Sequence, residues 1–294
     1  MTKHRKPPRV GDQPIFRRAL ISAVLIVTAL FIVAPLVVIG IEASSKGWSV
    51  YSAAITHPDT RHAIFLTVLT ALIAVPINTV FGVAAAWAIT KFDFPGRRLL
   101  LIVIEIPFSV SPVVAGVAYL FVYGLQGLFG PALQSADIKI MFALPGIALA
   151  SMFVTAPFVA RELIPLMQAQ GRDLEEAATS LGASGWRTFF SVTLPNIRWA
   201  LLYGVVLCNA RVMGEFGAVS VVSGNIRGQT NTLPLHIELL YHDYQTAGAF
   251  AAASILAVLA VATLIAKVLL ERQGAGRGGR PALAAPKPAS ETAT

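Results

Sequence analysis

Long stretches free of Asp, Glu, Lys and Arg organise this chain: residues 19–41, 62–90, 106–136, 140–160 and 244–266. An α-helix rises 1.5 Å per residue, so crossing about 30 Å of hydrocarbon takes roughly 20 residues. Every stretch meets that length. None alternates apolar and polar positions with a period of two, so helices are predicted and not barrel strands. The boundaries give six transmembrane helices, at about 20–41, 63–90, 99–123, 140–160, 199–222 and 246–270. The third contains Glu105, and the fifth contains Arg211 and Glu215. The expected fold class is all-α and integral to a membrane.

Composition agrees. The 294 residues are 55% hydrophobic and 13% charged, about half the roughly 25% charge usual in soluble domains. So few polar groups cannot coat a globule, which excludes a soluble enzyme, and the body is too apolar for disorder. A single cysteine, Cys208, excludes an internal disulfide and a CxxC site. The net charge is +8, and its placement matters more than its size. Lys and Arg alternate from one connection to the next, 18 on one side of the six spans against 4 on the other. The positive-inside rule then puts both termini in the cytoplasm. Nucleic acid is not an expected partner; the lipid bilayer is.

Domain organisation follows from these shifts. A basic cytoplasmic arm covers 1–18, the first transmembrane helix and a periplasmic loop cover 19–59, and the transmembrane domain covers 60–270. A Gly-, Ala- and Pro-rich cytoplasmic tail over 271–294 is expected to be disordered. The first apolar stretch exceeds the 7–15 or so residues of a signal-peptide core, so a retained anchor is expected. Gly274, Gly276 and Gly279 mimic a dinucleotide fingerprint but follow no strand, so they read as low complexity. No phosphate-binding loop, HExxH or GxSxG occurs. No catalytic residue and no metal site is expected; His236, His242 and Asp243 lack a convincing ligand set and read as a solvated helix after Pro234. Pro35, Pro76, Pro107, Pro112 and Pro157 fall inside spans and bend them. The pair in IPFSVSPVV either kinks the third span or interrupts it and frees backbone groups to line a cavity.

The connection over 161–198 is the one long cytoplasmic loop. Asp173 is placed to cap a short helix over about 174–181, Glu175 and Glu176 favour its positive end, and Gly182 suits a left-handed terminus. By itself this is equally a solvated turn at the membrane surface. The spacing says more. Glu176-Ala177-Ala178-x-x-x-Gly182, nine residues, then Val192-x-Leu194-Pro195 resembles the EAA loop of ABC importer permeases of the type-1 fold, with Val192 where the pattern has Ile. That resemblance covers about residues 60–268 and implies the ABC importer type-1 permease fold with a cytoplasmic coupling helix. Glu176, Ala177, Ala178, Gly182, Leu194 and Pro195 would then couple the spans to a separate ATPase. The segment over 196–244 further resembles the CysW kind of sulfate/thiosulfate permease, with molybdate/tungstate permeases next in similarity.

The resemblance implies a non-enzymatic transport subunit that translocates sulfate/thiosulfate. It also implies a CysT-like permease partner, two CysA-like ATPase subunits and a periplasmic sulfate/thiosulfate-binding protein. This chain would bind no cofactor, and ATP and Mg would serve the partner ATPase. Arg211 and Glu215, at i and i+4, are candidates for the translocation path and equally for a structural ion pair. Arg227, alone among Lys and Arg in its connection over 223–245, is a candidate for a periplasmic gate or docking contact. A gradient-driven transporter would need a relay of ionisable residues inside the spans, where only Arg211 and Glu215 stand clearly.

Overall fold

The computed structural model describes residues 14–277, and everything below refers to them. Their regular structure is entirely helical, with no strand. In chain order the helices are α1 (Pro14–Thr28), α2 (Ala34–Ser44), α3 (Trp48–Thr56), α4 (Pro58–Lys91) and α5 (Arg97–Ser109). There follow α6 (Pro112–Tyr123), α7 (Gly130–Ser135), α8 (Leu144–Thr155), α9 (Pro157–Gln170) and α10 (Asp173–Ser180). The last are α11 (Gly185–Thr188), α12 (Leu194–Met213), α13 (Gly217–Ser223), α14 (Leu233–His242) and α15 (Thr246–Arg277). Five stretches are long and apolar enough to cross a membrane, and α5 with α6 makes a sixth if that bent pair is one span.

Several expectations need correction. The third span is not one helix, because the chain stops at Ser109 and restarts at Pro112 with a sharp bend. Pro112 has no N–H to continue a ladder, and the residue before it is driven out of the helical region: Ser111 sits at φ −58°, ψ 132°. The fifth span ends at Met213, and Glu215 lies beyond it, before the separate α13. The loop expected over 161–198 shrinks to the segment between Gln170 and Gly185, since α9 and α11 carry helix far past the last apolar residue. Asp173 is the first residue of α10 and not its cap; Arg172 occupies the cap position without a side-chain bond. Helix α1 begins inside the arm expected over 1–18, whose residues 1–13 lie outside the described ones. At the other end α15 runs to Arg277, and the rest of the expected tail lies outside them too.

Two π-helical turns share one cause. Ala29–Val33 precedes Pro35 and Phe189–Thr193 precedes Pro195. In each, the residue before proline donates its N–H five positions back, Ala34 to Ala29 and Leu194 to Phe189. Proline removes the next donor, and the ladder widens to absorb the loss. Helices α1 and α2 expose nearly every described side chain, as a helix facing lipid does.

The remaining packing falls into two units. Among the described residues the first comprises 14–76, Pro107–Thr155 and Ala210–Val261. Its core joins Met141, Ala150, Val154, Ala218 and Val222, with Leu66, Ile147, Val219 and Leu235 as a neighbouring cluster. Leu233, Leu240, Ala249 and Ala252 form a third cluster. The short α13 lies tight on α6: a Cβ on Gly116 would stand 2.8 Å from the Ala218 carbonyl oxygen. The second unit comprises Ile77–Ile106, Ala156–Asn209 and 262–277. Ile89, Val159, Leu163, Met167 and Ile197 are buried there, and a Cβ on Gly82 would meet Val159 at 2.6 Å. Replacing Gly116 by Val should therefore lower the thermal stability of the purified protein by about 1–3 kcal/mol, the usual cost of overpacking. Unchanged unfolding in a detergent thermal-shift assay would contradict that packing.

Candidate functional site

The helix α10 carries the Glu176-Ala177-Ala178 pattern, and its end explains the glycine four residues on. Gly182 takes φ +83°, the left-handed conformation that costs glycine nothing. Its N–H donates to the Thr179 carbonyl at 2.9 Å, and the Ala183 N–H donates to the Ala178 carbonyl at 3.0 Å. These two bonds are a Schellman closure. Nothing lies within 4 Å of where a Gly182 Cβ would be. Asp173, Glu175 and Glu176 occupy the first turn, where carboxylates offset the positive end of the dipole. Glu176, Ala177 and Gly182 are exposed and Ala178 is half-buried. Leu181, an apolar side chain, is 89% exposed.

Two ion pairs fasten this helix to the end of α4. Lys91 Nζ lies 2.9 Å from Glu175 Oε1, with only 6% and 18% of the side chains exposed. The same ammonium donates to the Gly171 carbonyl, and Thr193 Oγ1 donates to Glu175 Oε1 at 3.1 Å. Glu175 thus joins α10 to α4 and to the π-turn that precedes Leu194 and Pro195. The second pair is a fork, Arg172 to Asp93, at 2.9 and 3.1 Å, with Arg97 donating to Asp93 at 3.0 Å. The hydrogen bond from Arg172 and its charge hold the Asp93 carboxyl below the usual carboxylate range. Between these anchors lies a cleft of about 270 Å³ lined by Trp87, Phe92, Lys91, Glu175, Glu176 and Thr188. The Trp87 ring meets Phe189 with centroids 4.8 Å apart. Lys91, Asp93, Arg172 and Thr193 were not among the residues expected from sequence; their visible signal is a cluster of charges just past the second span.

The structure brings Arg211 and Glu215 together at 3.1 Å. The Glu215 side chain is 1% exposed, and its other oxygen accepts the Ala218 N–H at 3.1 Å in the first turn of α13. The carboxylate therefore bridges the end of α12 and the start of α13, with Arg211 about a third exposed beside it. Arg227 is paired with Asp243. The expectation of a solvated helix after Pro234 is wrong: Leu233, Leu235, His236 and Leu240 of α14 are buried. His236 Nε2 is 3.0 Å from Thr60 Oγ1, and burial pushes the imidazole below its usual range. A stripe at positions 233, 236 and 240 carried this signal.

Residues 78–273 match the family model described as "Binding-protein-dependent transport system inner membrane component". The chain belongs to that family. It is 55% identical over 252 residues to the sulfate transport system permease protein CysW of Escherichia coli strain K12, covering 86% of this chain and 87% of that one. It is 52% identical over 262 residues to the protein of the same name from Synechococcus elongatus, covering 89% and 91%. Among solved structures, a bacterial ABC transporter that imports the acidic polysaccharide alginate shares the fold, with TM-score 0.72 and 15% identity over 90% of this chain and 96% of that one. As an inner membrane component the chain is a multi-pass membrane protein, and its relatives are transport permease subunits.

The two anchors should differ in strength. Lys91→Ala strands a shielded carboxylate and should cost about 1.5–3 kcal/mol, whereas Asp93→Ala breaks an exposed, solvent-screened pair and should cost clearly less. The folded Asp93 pKa is depressed, so its contribution is full above the unfolded value of about 3.9 and fades as pH falls through the folded one. Thermal unfolding of the two variants and of the wild type across pH 3–7 checks both statements; equal losses for the two variants would contradict them.

Proposed function

We propose that this chain is the membrane-spanning permease subunit of an ATP-driven importer that carries sulfate or thiosulfate into the cytoplasm. The shared name of its closely similar relatives supports the substrate class. The exposed α10, rigidly fastened on one side and open on the other, supports the coupling role. A CysT-like permease would complete the membrane part, with two CysA-like ATPases beneath it and a periplasmic binding protein delivering the anion. The strong Lys/Arg bias supports a cytoplasmic position for α10, the 171–184 segment and both termini.

In this reading the chain binds no cofactor. ATP and Mg act in the partner, whose closure moves α10. Lys91–Glu175–Thr193 and Asp93–Arg172 pass that displacement to the ends of α4 and α12, so the helix moves with the spans. ATP and the loaded binding protein can shift such a two-state element only by their differential affinity for its two arrangements. The Arg211–Glu215 pair is neutralised within itself, which suits a conduit that must release its anion, and Arg227 with Asp243 serves as a periplasmic gate or docking contact.

The test is uptake into proteoliposomes containing the full complex, with and without ATP. Sulfate should enter only with ATP, and molybdate should not compete. Glu176→Lys should abolish uptake. Gly182→Asn is the sharper variant, because Asn tolerates the left-handed conformation and meets nothing within the chain. It should insert and fold normally yet fail to transport. Normal sulfate uptake by both variants would remove α10 from the coupling pathway.

A further inference from the structure

At the N-terminus of α14, inside the first unit, three buried polar atoms have no partner. The Asn231 amide, 2% exposed, leaves both its oxygen and its nitrogen unbonded, and the Thr232 hydroxyl, 4% exposed, does the same. Burying an amide without a hydrogen bond costs roughly 1–3 kcal/mol by protein mutational measures, so such groups are rare and call for a reason. Their neighbours show that the segment is otherwise well satisfied. The Thr230 hydroxyl accepts the Ile226 N–H at 3.1 Å, and the Thr230 N–H donates to the Ile226 carbonyl at 2.9 Å. The Leu233 N–H donates to Thr67 Oγ1 on α4 at 2.7 Å. Only the two side chains at the helix start are left over.

Their position gives them a chemistry. Thr232 has the extended backbone of an N-cap, φ −75° and ψ 166°, yet its hydroxyl caps nothing. Pro234 follows in the first turn and has no N–H to offer, and no acidic residue stands there to offset the dipole. The positive end of this ten-residue helix therefore lies beside an amide and a hydroxyl that can each donate, with the Leu233 N–H already given to Thr67 and Asp59 the carboxylate that acts on the helix from α4. A tetrahedral oxyanion suits these groups, because its oxygens accept from the amide and the hydroxyl and its charge meets the helix dipole. No carboxylate occupies the first turn to repel it.

We propose that Asn231 and Thr232, at the N-terminus of α14, form an oxyanion contact on the translocation route, closed off in this structure and opened to the anion when the spans rearrange. This rests on the import of sulfate proposed above. The unpartnered groups make the closed arrangement less stable, and the anion satisfies them in the open one. That difference is what lets a substrate bias a two-state element. Recognition by neutral donors and a helix end, without a dedicated cation, also permits release.

The experiment pairs stability with transport, using the complete complex in proteoliposomes and radiolabelled sulfate. Asn231→Leu is close in size and removes the amide; Thr232→Val removes the hydroxyl at constant shape. Neither should lower the unfolding temperature, because an unpaired polar group is lost. Each should cut ATP-driven sulfate uptake about tenfold or more, and Asn231→Asp should cut it further by repulsion. Uptake within about twofold of wild type in Asn231→Leu and Asn231→Asp would overturn the proposal. So would a fall in unfolding temperature matching the loss of uptake, since the groups would then be structural. A wild-type complex that moves no sulfate would sink the parent reading and this one together, and is distinguishable from a wild type that transports beside variants that do so equally well.

Discussion

The Glu175 carboxylate receives Lys91 from the end of α4 and Thr193 from the turn before α12, so one anion fastens the loop helix to two membrane-crossing helices. An isolated carboxylate there would be costly, and an isolated Lys91, 6% exposed, costlier still. Each is acceptable only because the other is in place, and the Gly171 carbonyl takes a further ammonium proton. The pairing fixes where α10 begins. The glycine closure then fixes where it ends, and Glu176 and Ala177 are left facing outward between them. Asp93 and Arg172, being exposed, add direction more than energy.

That fastening is invisible in the primary structure for a physical reason. Asp93 and Arg172 are 79 positions apart, and each looks like an ordinary charge at the edge of an apolar stretch. By contrast the spans were plain, because hydrocarbon tolerates almost no unpaired charge and writes its thickness into the sequence. What charge marks, however, is the limit of lipid and not of helix. Arg161 and Glu162 continue α9, and Arg187 and Arg198 lie in the helical stretch that becomes α12, which is why the loop proved much shorter than its charged extent.

The breaks follow the same division between local and tertiary causes. Pro107 and Pro112 left a kink and an interruption both open, and the chain takes the interruption at Pro112 while Pro107 stays inside α5; the proline-linked π-turns are readable once the ladder is counted. The end of α12 was not announced. Glu215 matched a helical i, i+4 spacing to Arg211, and the pair does form, but through a bend at Gly214–Phe216 that lets the carboxylate cap α13 as well. Spacing alone cannot tell a residue on a helix from one just past its end. His236 was misjudged for a related reason: a titratable side chain suggested solvent, while its neighbours Leu233 and Leu240 put it on the buried stripe.

Polar groups in the first unit divide into two kinds, and the division carries mechanical meaning. Thr67 and Thr70 return their hydroxyl protons to carbonyls one turn back at 2.8 Å, so they add no demand to the interior. Thr67 also takes the Leu233 N–H, which pins α14 to α4. Asn231 and Thr232, two and one residues earlier, have no such outlet. An unsatisfied pair makes the closed packing locally less favourable than it need be, and any rearrangement that supplies partners gains that difference. A transporter needs arrangements of nearly equal free energy. Holding two donors unpaired in one of them is a direct way to bring the two together, and it places the bias at the point where an anion can reverse it.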